Sequence, residues 1–179
     1  MTILRLGPAA LAWCEVDGDR RATSRALLNE VLEALGAADA TVVTRCDHCG
    51  SSDHGRPRTA DGAHVVSVAY AADLAVVAAA PASTVRAIGV DAEAGPDRQM
   101  PDLAGLFAPR HPPTLREWTR IEATLKADGR GLRVEPREVR LDGMTATVPD
   151  GPIVELFDVE AIENVVVSLA IDRGGRSTP

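Results

Sequence analysis

The spacing of apolar positions changes character several times along this chain, and each change predicts an element. Residues 3–16 mix apolar and polar side chains as a first strand does, ending near Val16. Asp17-Gly18-Asp19 then reads as a turn with a helix cap. Leu27, Leu28, Val31, Leu32 and Leu35 recur at helical spacing and Gly36 stops them, which predicts a helix over about 20–35 with one face buried. Residues 44–63 are polar and rich in turn formers, and are expected to be loop. Two strand-like runs, 65–70 and 74–80, are separated by Ala71-Ala72-Asp73 and predict a hairpin. A further strand is expected over 85–93.

The second half begins with a segment, 94–113, that holds five prolines and predicts loop with a short helix near 102–107. A connection of that length suits a substrate lid. Thr114 opens a helix in which Leu115, Trp118, Ile121 and Leu125 form one apolar stripe, closed by Gly129 and Gly131. Short strand-like runs follow at 134–139, 144–148, 153–157 and 165–171. One helical turn is expected within 158–164, and a frayed polar tail after 172. Helices laid on antiparallel sheets make the expected class α+β.

Composition narrows the class without naming a chemistry. A chain of 179 residues with 45% apolar and 25% charged residues is long enough and apolar enough to bury a proper core. Aromatics are only 3%, so Ala, Val, Leu and Ile must build that core. No apolar run reaches the roughly 18 residues of a membrane helix, and no basic segment leads into an apolar core and cleavage site, so the expectation is a cytoplasmic protein with no membrane partner. Three cysteines, an odd number, fit a reducing compartment better than a disulfide framework. The net charge of −7 argues against a general nucleic-acid binder. Bases nevertheless crowd one segment, from Arg110 through Arg116, Arg120, Lys126, Arg130, Arg133 and Arg137 to Arg140. They would either attract an acidic partner or cover a solvated helix and strand.

Three stretches carry candidate chemistry. In Ile88-Gly89-Val90-Asp91-Ala92-Glu93 the two acids lie two apart, hence on one face of a strand, where their charges oppose each other unless a cation intervenes. Gly89 is expected to leave room beside that strand for a ligand. Two solvated acids on an edge strand are the alternative. Glu122 and Lys126 are four apart and share a helix face. Three acids and an ammonium suit a divalent cation and a polyphosphate, and oxygen ligands of this kind suit Mg²⁺. Lys126 is the chain's sole lysine, every other long cationic side chain being arginine. Lysine can shift its pKa and pass a proton where arginine practically cannot. In the polar loop, Cys46-x-x-Cys49 with His48 and His54 supplies half of a zinc pattern and lacks the other half. Arg56 and Arg58 on a glycine-bearing loop suit phosphate oxygens.

With His54-Gly55-Arg56-Pro57, Gly89-Val90-Asp91-Ala92-Glu93 and Trp118…Glu122-Ala123…Lys126 in that order, the chain resembles the surfactin-type 4′-phosphopantetheinyl transferases over residues 54–126. Their pattern is a His-Gly-Lys/Arg-Pro loop, a Gly-Val-Asp-x-Glu strand and a Trp-x-x-Lys-Glu-Ala-x-x-Lys helix. The resemblance implies a pseudo-dimer of two similar α+β halves, 1–84 and 85–172, with coenzyme A in the cleft between them; the polar end of the chain, 173–179, is expected to be a disordered tail. It implies Mg²⁺ on Asp91, Glu93 and Glu122, catalysis by Glu122 and Lys126, and coenzyme A held by His54, Arg56 and Tyr70. The partner implied is an acyl or peptidyl carrier protein, met by a monomer. Two positions depart from the pattern. The family's Ser-His-Ser reads Ala69-Tyr70-Ala71 here, so an imidazole is replaced by a phenol, and one helix lysine is replaced by Ile121, which can join the apolar stripe. A non-catalytic relative that binds coenzyme A or a carrier, and a small zinc-binding interaction domain, are the competing readings.

Overall fold

The computed structural model describes residues 2–45, 49–52 and 55–175. The first expected strand is two. β1 (Ile3–Leu6) and β2 (Ala9–Glu15) form an antiparallel hairpin that turns at Gly7, whose φ of 57° suits glycine. α1 (Arg20–Ala34) follows, capped by the Asp19 carboxylate accepting from the Arg21 amide at 2.9 Å. The segment expected as loop contains a second hairpin, β3 (Val42–Arg45) against β4 (Arg56–Thr59), with Thr44 opposite Pro57. Arg-Pro-Arg-Thr carries no apolar alternation, so the strand leaves no period in the sequence.

β5 (His64–Ala71) and β6 (Leu74–Pro81) pair as expected. With β1 and β2 they make a four-stranded antiparallel sheet in the order β1-β2-β6-β5. β7 (Ala87–Ala94) opens a second sheet, completed by β8 (Arg140–Asp142), β9 (Thr145–Thr147), β10 (Ile153–Val159) and β11 (Val165–Asp172) in the order β7-β11-β10-β9-β8. A short 3₁₀ turn and α2 (Ala104–Phe107) lie in the proline-rich connection. α3 (Leu115–Asp128) carries a full capping box between Thr114 and Glu117 and ends at Gly129 in the left-handed region. The class is mixed α+β with antiparallel sheets, as the sequence leads one to expect.

Two expectations in the second half fail. Residues 134–139 form no strand; 3₁₀ turns at Gly131–Arg133 and Pro136–Glu138 stand there instead. Val134 and Val139 are buried as single anchors beneath α3, and Pro136 has no N–H to give a ladder. Residues 158–164 form no helical turn: β10 runs to Val159, and a tight turn with Asn164 at φ 55° returns the chain to β11. The last four residues of the expected tail lie outside the described residues.

Alternation along the strands sorts the core into three clusters. α1 packs on one face of the first sheet through Leu27, Leu28, Val31 and Leu32 against Ala10, Ala12, Val66, Val77 and Ala79. The opposite face of that sheet, with Leu11, Val76 and Ala78, shares a core with Ile88, Val90, Leu169 and Ile171 of the second sheet. α3 covers the remaining face of the second sheet through Ile121, Ala123, Leu125 and Ala127 against Val154, Leu156 and Ala170. Many of the contacts are made by Ala and Val, so helix and sheet backbones sit close together. No described helix is long and apolar enough to cross a membrane.

Candidate functional site

Period two along β7 decides what faces α3. Ile88, Val90 and Ala92 point into the shared core, which leaves Gly89, Asp91 and Glu93 on the helix side. The space at Gly89 is taken by the helix and not by a ligand. A Cβ built there would lie 2.0 Å from the Ala123 carbonyl oxygen, 2.6 Å from the Ala127 amide nitrogen and 2.8 Å from the Lys126 Cβ. The glycine lets α3 lie directly on the strand, and that approach brings Glu122 and Lys126 to the carboxylates.

The Lys126 ammonium donates to Asp91 Oδ1 at 2.7 Å and to the Val90 carbonyl oxygen at 2.9 Å. Asp91 is only 8% exposed, and its other oxygen, Oδ2, is buried with no hydrogen-bond partner. Burial raises the Asp91 carboxyl above its ordinary value, against the opposing pull of Lys126 and the Ala92 amide. Glu93 is raised by burial and by the Asp91 charge, offset in part by a hydrogen bond from Trp118 and the charge of Lys126. Glu122 is raised by burial, then by Asp91 and Glu93, with Lys126 again opposing. The three acids expected together are therefore coupled, each resisting ionisation, with one ammonium among them.

An open pocket of about 370 Å³ adjoins this group, lined by Glu122, Leu125 and Lys126 of α3, by Arg56 and Pro57 of β4, and by Val66, Ser67 and Val68 of β5. Arg56 reaches the Ile88 carbonyl at 3.2 Å and lies beside Gly129 at the C-terminal end of α3, where the helix dipole favours a cation. Tyr70 stands elsewhere. It lines a second pocket of about 240 Å³ with Arg21, Ser24 and Arg25, its hydroxyl 2.8 Å from Ser24 Oγ and donating to the Arg20 carbonyl at 3.2 Å, with the Arg20 guanidinium over its ring. Pro57 and Val68 line both pockets, so the two are neighbours. Ile121 is buried on the apolar face of α3. His54, Cys46 and His48 lie outside the described residues.

Sequence reasoning passed over Ser67, whose buried Oγ accepts from the Val90 amide at 3.0 Å and ties the carboxylate strand to β5. A serine set among the valines of the run 65–68 was the available signal. It also passed over Arg21 and Arg25, whose i,i+4 spacing places them on one helix face with Ser24. The crowded bases between 110 and 140 are largely consumed within the chain: Arg116 binds Glu160 and the Val167 carbonyl, Arg120 binds Asp158, and Arg130 binds Asp128. Burial works against the Asp158 charge, but Arg120 and Arg116 hold its carboxyl below the ordinary value.

Among the described residues no three His, Cys, Asp or Glu side chains are already arranged to hold a metal ion. The donor set is nevertheless compatible with Mg²⁺, which ordinarily takes one or two protein carboxylates and completes its shell with water and phosphate oxygens. The buried Asp91 Oδ2 has no hydrogen-bond donor, the state expected of a carboxylate oxygen whose partner is a cation. No protein-family model matches the chain, and no curated protein sequence matches it.

Proposed function

We propose that this protein is a 4′-phosphopantetheinyl transferase that moves the arm of coenzyme A onto a serine of an acyl or peptidyl carrier protein. The observation that carries the reading is the Lys126–Asp91 ion pair across the β7–α3 contact, beside a largely apolar pocket whose wall carries Glu122, Lys126 and Arg56. The three sequence motifs supply those residues in order. On this reading the halves 1–84 and 85–172 form a pseudo-dimer, each with a sheet and one long helix, and coenzyme A enters between β4–β5 and α3.

Asp91, Glu93 and Glu122 would hold Mg²⁺, which when bound supplies charge neutralisation at the pyrophosphate. Glu122 takes the proton of the carrier serine. A carboxylate on the pocket wall suits a general base for that proton. The serine oxygen forms a new bond to the β-phosphorus while the phosphoanhydride bond breaks, leaving 3′,5′-ADP. Lys126, with one ammonium N–H beyond the two already used, offsets charge on the phosphate. Arg56 holds a phosphate of coenzyme A. The Tyr70 pocket, with Arg21 and Arg25, offers a second anionic subsite.

A non-catalytic binder is the second reading, favoured by the Tyr70 hydroxyl being taken up by Ser24 and Arg20. Incubation with coenzyme A, Mg²⁺ and apo carrier proteins, read by mass, separates the two. Transfer supports the enzyme. Coenzyme A binding without transfer to any carrier supports the binder.

A further inference from the structure

The cluster contains one asymmetry that neither motif nor spacing anticipates. Lys126 fixes a single oxygen of Asp91 and leaves the other alone. Its ammonium bridges Asp91 Oδ1 and the Val90 carbonyl, two atoms of adjacent residues on β7. A cation held at two points cannot swing, and the carboxylate bonded to it is held in turn. The result is a buried Oδ2 without a donor, in a site where Glu93 and Glu122 are close enough to feel the Asp91 charge. A buried, unpartnered carboxylate oxygen is costly and is normally found paired or on a metal.

We propose that Lys126 is a positioning residue for cation capture: by clamping Asp91 Oδ1 against the Val90 carbonyl it presents Oδ2 to a divalent cation. The inference rests on the transferase reading for the presence of that cation and goes beyond it in assigning the lysine's task. Lys126 stays on Asp91 while the cation is bound and is not displaced by it. The sign of one substitution separates this from simple electrostatics. If Lys126 were only a positive charge near the site, removing it would relieve repulsion and tighten cation binding. If it positions Asp91, removing it weakens binding, by roughly the 10–100-fold typical of losing a residue that orients a metal ligand.

The test is a Mn²⁺ titration by electron paramagnetic resonance on wild type, Lys126→Met and Lys126→Arg, each first checked for folding by circular dichroism. We expect Lys126→Met to bind at least tenfold more weakly and Lys126→Arg, which keeps charge and donors, to recover part of the loss. Equal or tighter binding in Lys126→Met overturns the positioning role and leaves the transferase reading standing. Wild type that binds no Mn²⁺ overturns both. A second measurement needs no variant. Because Lys126 is the only lysine, ¹⁵N-lysine labelling gives one side-chain signal. That signal should remain protected from solvent exchange, and shift, as diamagnetic Mg²⁺ is added. Loss of protection on Mg²⁺ binding means the cation evicts the lysine and overturns the proposal.

Discussion

Replacing Gly89 by alanine probes the contact on which the site depends. The added Cβ would meet the Ala123 carbonyl oxygen at 2.0 Å and the Ala127 amide nitrogen at 2.6 Å. Both are backbone atoms of α3, so no side chain can rotate out of the way and the helix must lift from β7. Overpacking of this kind costs about 1–3 kcal/mol, and contacts this short with backbone place the cost at the upper end. Alanine also narrows the unfolded ensemble, which returns about 0.4–1 kcal/mol. The net is about 2 kcal/mol of destabilisation, or about 4–8 °C in Tm at the 2–4 °C per kcal/mol expected of a chain this long. Lifting α3 also carries Lys126 away from Asp91, so Mn²⁺ binding should weaken along with stability. The assay is thermal and urea unfolding of Gly89→Ala beside Gly105→Ala. Gly105, in α2, has nothing within 4 Å of its notional Cβ, so its alanine variant should be neutral or slightly stabilised. Gly89→Ala melting within about a degree of wild type would refute the close approach and with it the placement of Glu122 and Lys126.

Glu122→Gln should make the ligand-free protein more stable at neutral and mildly alkaline pH, read by Tm across a pH series. The Glu122 pKa is raised in the fold, so its ionisation opposes folding; the penalty is absent below the ordinary carboxylate value, grows as pH rises to the raised value, and is full above it. The advantage of the glutamine should therefore vanish below about pH 4, and an advantage that persists there would show that charge is not its cause. Ser67→Ala strands the buried Val90 N–H and should cost about 1–3 kcal/mol in urea unfolding, whereas a cost near zero would mean the strand finds another acceptor. Tyr70→His should lower the concentration of coenzyme A needed for half-saturation in calorimetry. No change would place Tyr70 outside the coenzyme A site.

The elements with a clear period were legible: α1, the β5–β6 hairpin, β7 and α3 lie within two or three residues of where their apolar spacing predicts them. So was the meeting of Asp91 with Lys126, because a motif strand and a motif helix bring their own faces. β4 was not legible, since Arg-Pro-Arg-Thr pairs through its backbone and advertises no buried side. The run 134–139 misled because Val134 and Val139 are each buried singly from turns, and two apolar residues in a polar run look like a strand. Gly89 was legible as a close approach but not as to what approaches. A ligand and a helix backbone ask the same thing of a strand, and only the fold shows that the space is filled by Ala123 and Ala127. The solitary state of Asp91 Oδ2 has no trace in the sequence, because it depends on which oxygen the lysine takes.

The most direct measurement is the mass of apo acyl and peptidyl carrier proteins after incubation with the wild-type protein, coenzyme A and Mg²⁺, beside Glu122→Gln and a sample with the metal chelated. The account predicts that at least one carrier gains a phosphopantetheine arm on its serine. It also predicts that the gain is lost on chelation and falls by the roughly 10²–10⁴-fold of a missing general base in Glu122→Gln. Wild-type protein that binds coenzyme A yet leaves every carrier at its starting mass would contradict it.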